Sequence, residues 1–195
     1  MKTIITALVA LTLVVNVFAE GSKAPPTATS AFMKNPQTGG LKLKGAGNLH
    51  AGHYGLLLVA ENGGSIVAID AGHTGKFQAV KPVANIGEKV AGAMGTTADK
   101  VKINDLKANP ETGTVYLSVR RSDGVSGILT LDATGKLAAL DIRKLNWVRV
   151  KLADKLKISR ISDLGLAPGR VLAAGQSNDA FRSKIFSIPT PIEHD

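Results

Sequence analysis

The stretch Asn109-Pro110-Glu111-Thr112-Gly113-Thr114-Val115-Tyr116-Leu117-Ser118-Val119 decides how this chain folds. Pro110 presets φ for a tight turn, and Gly113 accepts the positive φ that ends it. The β-branched and aromatic run that follows favours a strand. Working outward, Ile103-Asn104-Asp105-Leu106 precedes the turn as a first strand. Beyond a polar turn from Arg120 to Gly127 comes Ile128-Leu129-Thr130-Leu131-Asp132 as a third, and a shorter polar strand follows near Leu137 to Ile142.

The same order occurs twice more. Gly169-Arg170-Val171-Leu172-Ala173-Ala174 follows Ile161-Ser162-Asp163-Leu164 and Ala167-Pro168, and leads through a turn at Gln176 to Ser183 into Lys184-Ile185-Phe186-Ser187-Ile188. Gly55-Leu56-Leu57-Leu58-Val59-Ala60 leads through Glu61-Asn62-Gly63-Gly64 into Ser65-Ile66-Val67-Ala68-Ile69-Asp70, with a polar strand expected near Phe77 to Val83. Gly55, Gly113 and Gly169 thus recur at a nearly constant spacing, and Ala98-Asp99-Lys100-Val101-Lys102-Ile103 is echoed by Ala153-Asp154-Lys155-Leu156-Lys157-Ile158. Self-similarity at a fixed period marks repeat architectures.

Leu56 to Val59 run on without polar alternation. A sheet with one wet face alternates, so a continuous apolar run means that both faces are covered, in an all-β chain by other sheets. Four-stranded antiparallel sheets stacked radially make a β-propeller. The unit here is longer than the usual blade of roughly 40–50 residues. Long loops are therefore expected at Gly87 to Thr97 and at Asp141 to Lys155, the latter alternatively a strand followed by a short helix. The third unit reaches Asp195 well short of a full repeat after Gly169, which is too little to close a ring. The expectation is an all-β partial propeller of about three four-stranded antiparallel blades over residues 41–195, read as a truncated form of a longer ring.

Two segments precede it. Lys2, an apolar run from Ile4 to Val15 and the triplet Val17-Phe18-Ala19 read as an export signal over residues 1–19. That run is shorter than the roughly 20 residues of a membrane span, and no later stretch approaches one. Residues 20–40, with Pro25, Pro26, Pro36 and Gly39-Gly40, read as a flexible linker. The expected location is periplasmic or secreted. There is no cysteine, which excludes disulfides, thiolate metal sites and a lipid-anchored N-terminus.

Beyond the signal the chain carries 23 basic against 15 acidic residues, a net +8. Such a balance suits acidic glycans, anionic membrane surface or nucleic acid. The basic residues are scattered among few aromatics, and export argues against a nucleic-acid partner, so the reading is a solvated basic surface.

The segments around Ile103-x-Asp105-Leu106, Asn109-Pro110-x-Thr112-Gly113 and Val115 to Val119, and their counterparts from Ile161 to Pro189, resemble a family of uncharacterised bacterial secreted proteins with propeller repeats. The resemblance spans about residues 45 to 191. It implies a propeller fold, export, and a chain that continues beyond this point; it implies no chemistry.

Asp105 and Asp163 take equivalent positions in successive units. If the first strands line a central channel, both carboxylates face one axis and are candidate Ca²⁺ ligands, with Asn104 and Glu61 as secondary candidates, as in propeller hydrolases of the gluconolactonase type. The competing reading is that a repeated Asp at a strand end caps backbone N–H groups. His50 and His53 have a spacing seen in metal sites, but flanking Gly47, Gly52 and Gly55 point to a solvated loop; His73 lies in a turn and His194 in the tail. No nucleophile elbow, phosphate loop or zinc-protease motif occurs, and a single tryptophan, Trp147, argues against a quinone cofactor. The leading expectation is an exported binding or scaffold module without cofactor, for an unknown protein or small-molecule ligand. The alternative is a fragment of a metal-dependent, gluconolactonase-like hydrolase.

Overall fold

The computed structural model describes residues 25–152, 157–177 and 183–194. The expected signal segment lies outside the described residues, as do most of the second Ala-Asp-Lys stretch and of the turn after Gln176. In chain order the elements are α1 (Ala28–Phe32), β1 (Met33–Lys34), β2 (Gln37–Thr38), β3 (Leu49–Ala51), β4 (Leu56–Ala60), β5 (Ser65–Asp70), α2 (Ile86–Ala93), β6 (Val101–Ala108), β7 (Val115–Arg121) and β8 (Ser126–Leu131). There follow β9 (Leu137–Ala139), β10 (Asn146–Lys151), β11 (Ile158–Ala167), β12 (Arg170–Ser177), β13 (Ser183–Pro189) and β14 (Ile192–Glu193).

The fold is all-β in character, and its main sheets are antiparallel. The first is five-stranded in the order β2-β10-β5-β4-β3, the second four-stranded, β6-β7-β8-β9, and the third three-stranded, β11-β12-β13. β1 and β14 make a separate parallel pair. The sheets do not close into a ring. Gly55, Gly113 and Gly169 all take left-handed φ, at 80°, 78° and 72°, as the turn chemistry requires. At Gly113 space is restrictive too, because a Cβ would stand 2.3 Å from the carbonyl oxygen of Gln78.

Both faces of the first sheet are dry, as the unbroken run in β4 demands. Leu56, Leu58, Ile66, Ala68 and Val148 pack with Ile158, Ile161, Leu164, Val171 and Ala173 of the third sheet. Leu57, Val59, Val67, Ile69 and Trp147 point the other way and meet Tyr116 and Ile128 of the second. The far face of the second sheet, with Leu117, Val119, Leu129 and Leu131, closes on Val90 of α2. The layers are therefore third sheet, first sheet, second sheet, helix.

This order differs from the order of the chain, and β10 is the reason. After β9 the backbone returns to the first sheet, where β10 pairs antiparallel with β5 from Trp147↔Ile69 to Lys151↔Ser65. It then emerges on the opposite side and builds the third sheet there.

Four expectations need correction. Phe77 to Val83 forms no strand; it runs beside the second sheet, with Gln78 N–H donating to Thr112 O and Lys81 N–H to Ala133 O, and β10 takes the place beside β5 that it would have filled. The units do not all have four strands of their own: the first sheet borrows β10 and β2, and the third has three. Within 20–40, the described part is not a featureless linker. Thr27 and Ser30 cap α1 reciprocally, Ala28 and Met33 are buried, β1 pairs with β14, and Gln37 and Thr38 pair with Trp147 and Asn146. Gly87 to Thr97 is largely helical, because Val90 and Ala91 have an apolar sheet face to cover. No described helix is long and apolar enough to cross a membrane.

Candidate functional site

The inner strands β3, β6 and β11 lie side by side, and at one end of this seam is a polar cleft of about 350 Å³. Its rim is the loop from Gly45 to Asn48 together with Glu61 and Asn62 at the end of β4; β6 contributes Lys102 and Asn104, β7 Arg120, and β11 Ser159 and Arg160.

The loop is fixed to β4 by backbone hydrogen bonds. Gly47 N–H donates to Ala60 O, Ala60 N–H to Asn48 O, and Asn62 N–H to Lys44 O. Gly45, at φ 93°, lies so close to Asn62 that a Cβ would stand 2.6 Å from Asn62 Nδ2. Asn104 Nδ2 donates to Ala46 O at 2.7 Å, tying β6 to the same loop.

Glu61 closes the floor. Its side chain is fully buried; Oε1 accepts from Lys44 N–H at 2.7 Å and from Arg149 Nη2 at 3.0 Å, and Oε2 accepts from Arg149 Nε at 2.8 Å. A bidentate guanidinium–carboxylate pair of this kind is geometrically exacting. It also cancels the only acidic side chain that lines the cleft among the described residues. Lys102, Arg120 and Arg160 have no carboxylate partner among the described residues, so the cleft holds three uncompensated positive charges.

Asp105 and Asp163 sit at matching irregularities, since the pairing register slips between Ile103 and Asp105 and between Ile161 and Asp163. Asp105 Oδ1 accepts from Leu106 N–H at 2.8 Å, and Asp163 Oδ1 accepts from Leu164 N–H at 2.9 Å. Asp105 Oδ2 reaches across to accept from Leu49 N–H at 2.8 Å, satisfying a donor on the free edge of β3. Asp163 acts electrostatically on His50, the next residue of β3. The two carboxylates thus flank adjacent residues of one strand, and their bonds go to backbone. Among the described residues no three His, Asp or Glu side chains converge as metal ligands.

The histidines are dispersed. His50 is pushed below its ordinary pKa by burial and by Lys107, against an opposing pull from Leu164 O and Asp163. His53 Nδ1 lies 3.3 Å from Glu111 Oε1. His73 Nδ1 is 2.8 Å from the buried Tyr116 hydroxyl, and its carbonyl accepts from Asn109 Nδ2. The ring of His194 packs 5.2 Å from that of Trp147.

Sequence reasoning reaches Asn104 and Glu61 but misses the three cations. A signal is present for two of them: Lys102 and Arg160 each stand one position before the strand signatures Ile103-Asn104-Asp105 and Ile161-Ser162-Asp163, at the spacing of the repeat. Arg120 carries no comparable mark, because only the pairing of β7 with β6, which sets it opposite Lys102, brings it in. No protein-family model, curated protein or solved structure matches this chain.

Proposed function

We propose that the chain is an exported binding module, built as a partial propeller-like stack, whose basic cleft takes an anionic ligand. One observation carries the reading: Lys102, Arg120 and Arg160, from three strands of two different sheets, surround a polar hollow in which the one carboxylate among the described residues is already bound to Arg149. Positive groups held together without counter-ions repel one another, and an anion relieves that repulsion. Export rests on the charged start, short apolar run and cleavage triplet of residues 1–19.

The hydrolase alternative draws no comparable support. Asp105 spends both carboxylate oxygens on backbone N–H groups, and Glu61 is consumed by Arg149 and Lys44. Calcium is expected to leave the melting temperature unchanged, in the parent and in Asp105→Asn alike; a calcium-dependent rise abolished by that substitution would restore the metal reading.

Calorimetric titration with small anions such as galacturonate and inorganic phosphate tests the cleft. Binding is expected to weaken with added salt. Arg120→Gln or Arg160→Gln is expected to weaken it about tenfold, the scale of one charge-assisted hydrogen bond. Binding that both substitutions and salt leave untouched would place the site elsewhere.

A further inference from the structure

The basic cleft does not end at Arg120. A second hollow of about 290 Å³ lies next to it, and the two share Lys102 and Arg120 as a common wall. The second hollow adds Lys100 and Ser122 and is also lined by Asp99, whose carboxylate is hydrogen-bonded to the Thr97 side chain and lies within electrostatic reach of Lys100. Arg121 also lines it, but that guanidinium is occupied by Asp123 and by the carbonyl of Met94. The cations available to a ligand therefore form a row, from Arg160 in the first hollow through Lys102 and Arg120 at the shared wall to Lys100 in the second. A ligand with one charge needs one hollow. A row of charges across two fits a chain whose own charge repeats.

The rest of the lining narrows the class of chain. Among the described residues no aromatic side chain lines either hollow, so these residues offer no stacking platform of the kind on which proteins hold unpaired nucleic-acid bases. Beside the cations the lining carries carboxamides and hydroxyls: Asn48, Asn62, Asn104 (whose Nδ2 also donates to Ala46 O) and Ser126 in the first hollow, and Ser122 in the second. A carboxamide both donates and accepts hydrogen bonds. A polyphosphate chain has acceptors only and offers the carboxamide oxygens no donor, whereas sugar hydroxyls match both halves. Resting on the cleft reading above, we infer that the two hollows form one groove for an acidic oligosaccharide, a chain of hydroxyl-rich sugars bearing repeated carboxylates.

The test compares galacturonate with its tetramer, using polyphosphate and oligo(dT) of equal charge as competitors. The tetramer is expected to bind at least tenfold more tightly than the monomer. Lys100→Gln, which touches only the second hollow, should weaken the tetramer several-fold and leave the monomer unchanged; Arg160→Gln should weaken both. Unaltered melting curves would show that these exposed substitutions leave the fold intact. Equal affinity for monomer and tetramer would overturn the extended groove while leaving the anion cleft standing. Tighter binding of polyphosphate or oligo(dT) would overturn the saccharide assignment. Binding of none of these anions would sink the cleft reading itself, and the groove with it.

Discussion

At the scale of single residues, the buried polar groups are the informative ones. Tyr116 is fully buried, and burial pushes its phenol up to about 12. An unfolded tyrosine ionises near 10. Between those values the unfolded chain loses the proton and the folded chain keeps it, so stability declines as pH rises from about 10 to 12 and is complete below that window. His50 and His73 work at the other end. Burial lowers both below 6.5, so the unfolded chain takes up protons first on acidification. Stability is therefore expected to fall as pH drops below about 6.5. Melting temperatures across pH 5–12 should show both limbs. Tyr116→Phe should remove the alkaline limb's tyrosine component and, by deleting the hydroxyl that meets His73, cost about 1–2 kcal/mol at neutral pH; an unchanged alkaline limb would show that Tyr116 is open to solvent. Glu61 supports a larger prediction. Glu61→Ala would leave a largely buried guanidinium without its carboxylate, with Lys42 O as its remaining acceptor, and would strand the Lys44 N–H donor, at a cost of about 3–5 kcal/mol by denaturant melt. A loss below about 1 kcal/mol would show that Arg149 finds another partner.

At the scale of elements, β4 is the clearest case of sequence dictating environment. Every residue from Leu56 to Ala60 is buried, which a strand achieves only between two layers. Leu57→Ala, on the face toward the second sheet, and Leu58→Ala, toward the third, should each cost about 2–5 kcal/mol. On a strand with one wet face, one of two neighbours would be silent. Leu106 on β6 provides that control: at 51% exposure, Leu106→Ser should fall within about 0.5 kcal/mol. Such strands are legible because glycine, proline and apolar runs act locally. The strand that pairs with β5 on its other side, β10, is not, because nothing between Phe77 and Val83 reveals that a segment far along the chain fits better. Asn146-Trp147-Val148 supplies three things at once: Val148 for one core, Trp147 for the other, and an indole N–H that donates to Gly39 O at 2.8 Å. The segment before Gly40 conceals its structure for the same reason, since its partners lie in β10 and β14. The cleft follows this rule too. Asn104 and Asp105 are visible inside a local signature, whereas the role of Arg120 depends on which strands and sheets become neighbours.

At the scale of the whole molecule, the order of the layers is the property most open to test. A stack in chain order would leave the first and third sheets as outer layers, each dry on one face. With β10 carrying the chain back across the first sheet, the first is interior, and among the described residues it is the third that is left with an open face, where Ile185 is 78% exposed. Amide exchange reports this difference, because strands covered on both sides open only when the whole domain opens, while an uncovered outer sheet opens locally at lower free energy. The amides of β4 and β5 should therefore be among the slowest to exchange, joined by β7, whose sheet lies between the first sheet and α2. Those of β13 should exchange well before them, although β13 pairs with β12 along its whole length, from Ser183 to Pro189. Comparable protection of β4–β5 and β12–β13 would mean that the third sheet is as deeply enclosed as the first, and the packing of Val171 and Ile161 against Leu56 and Leu58 would need to be redrawn.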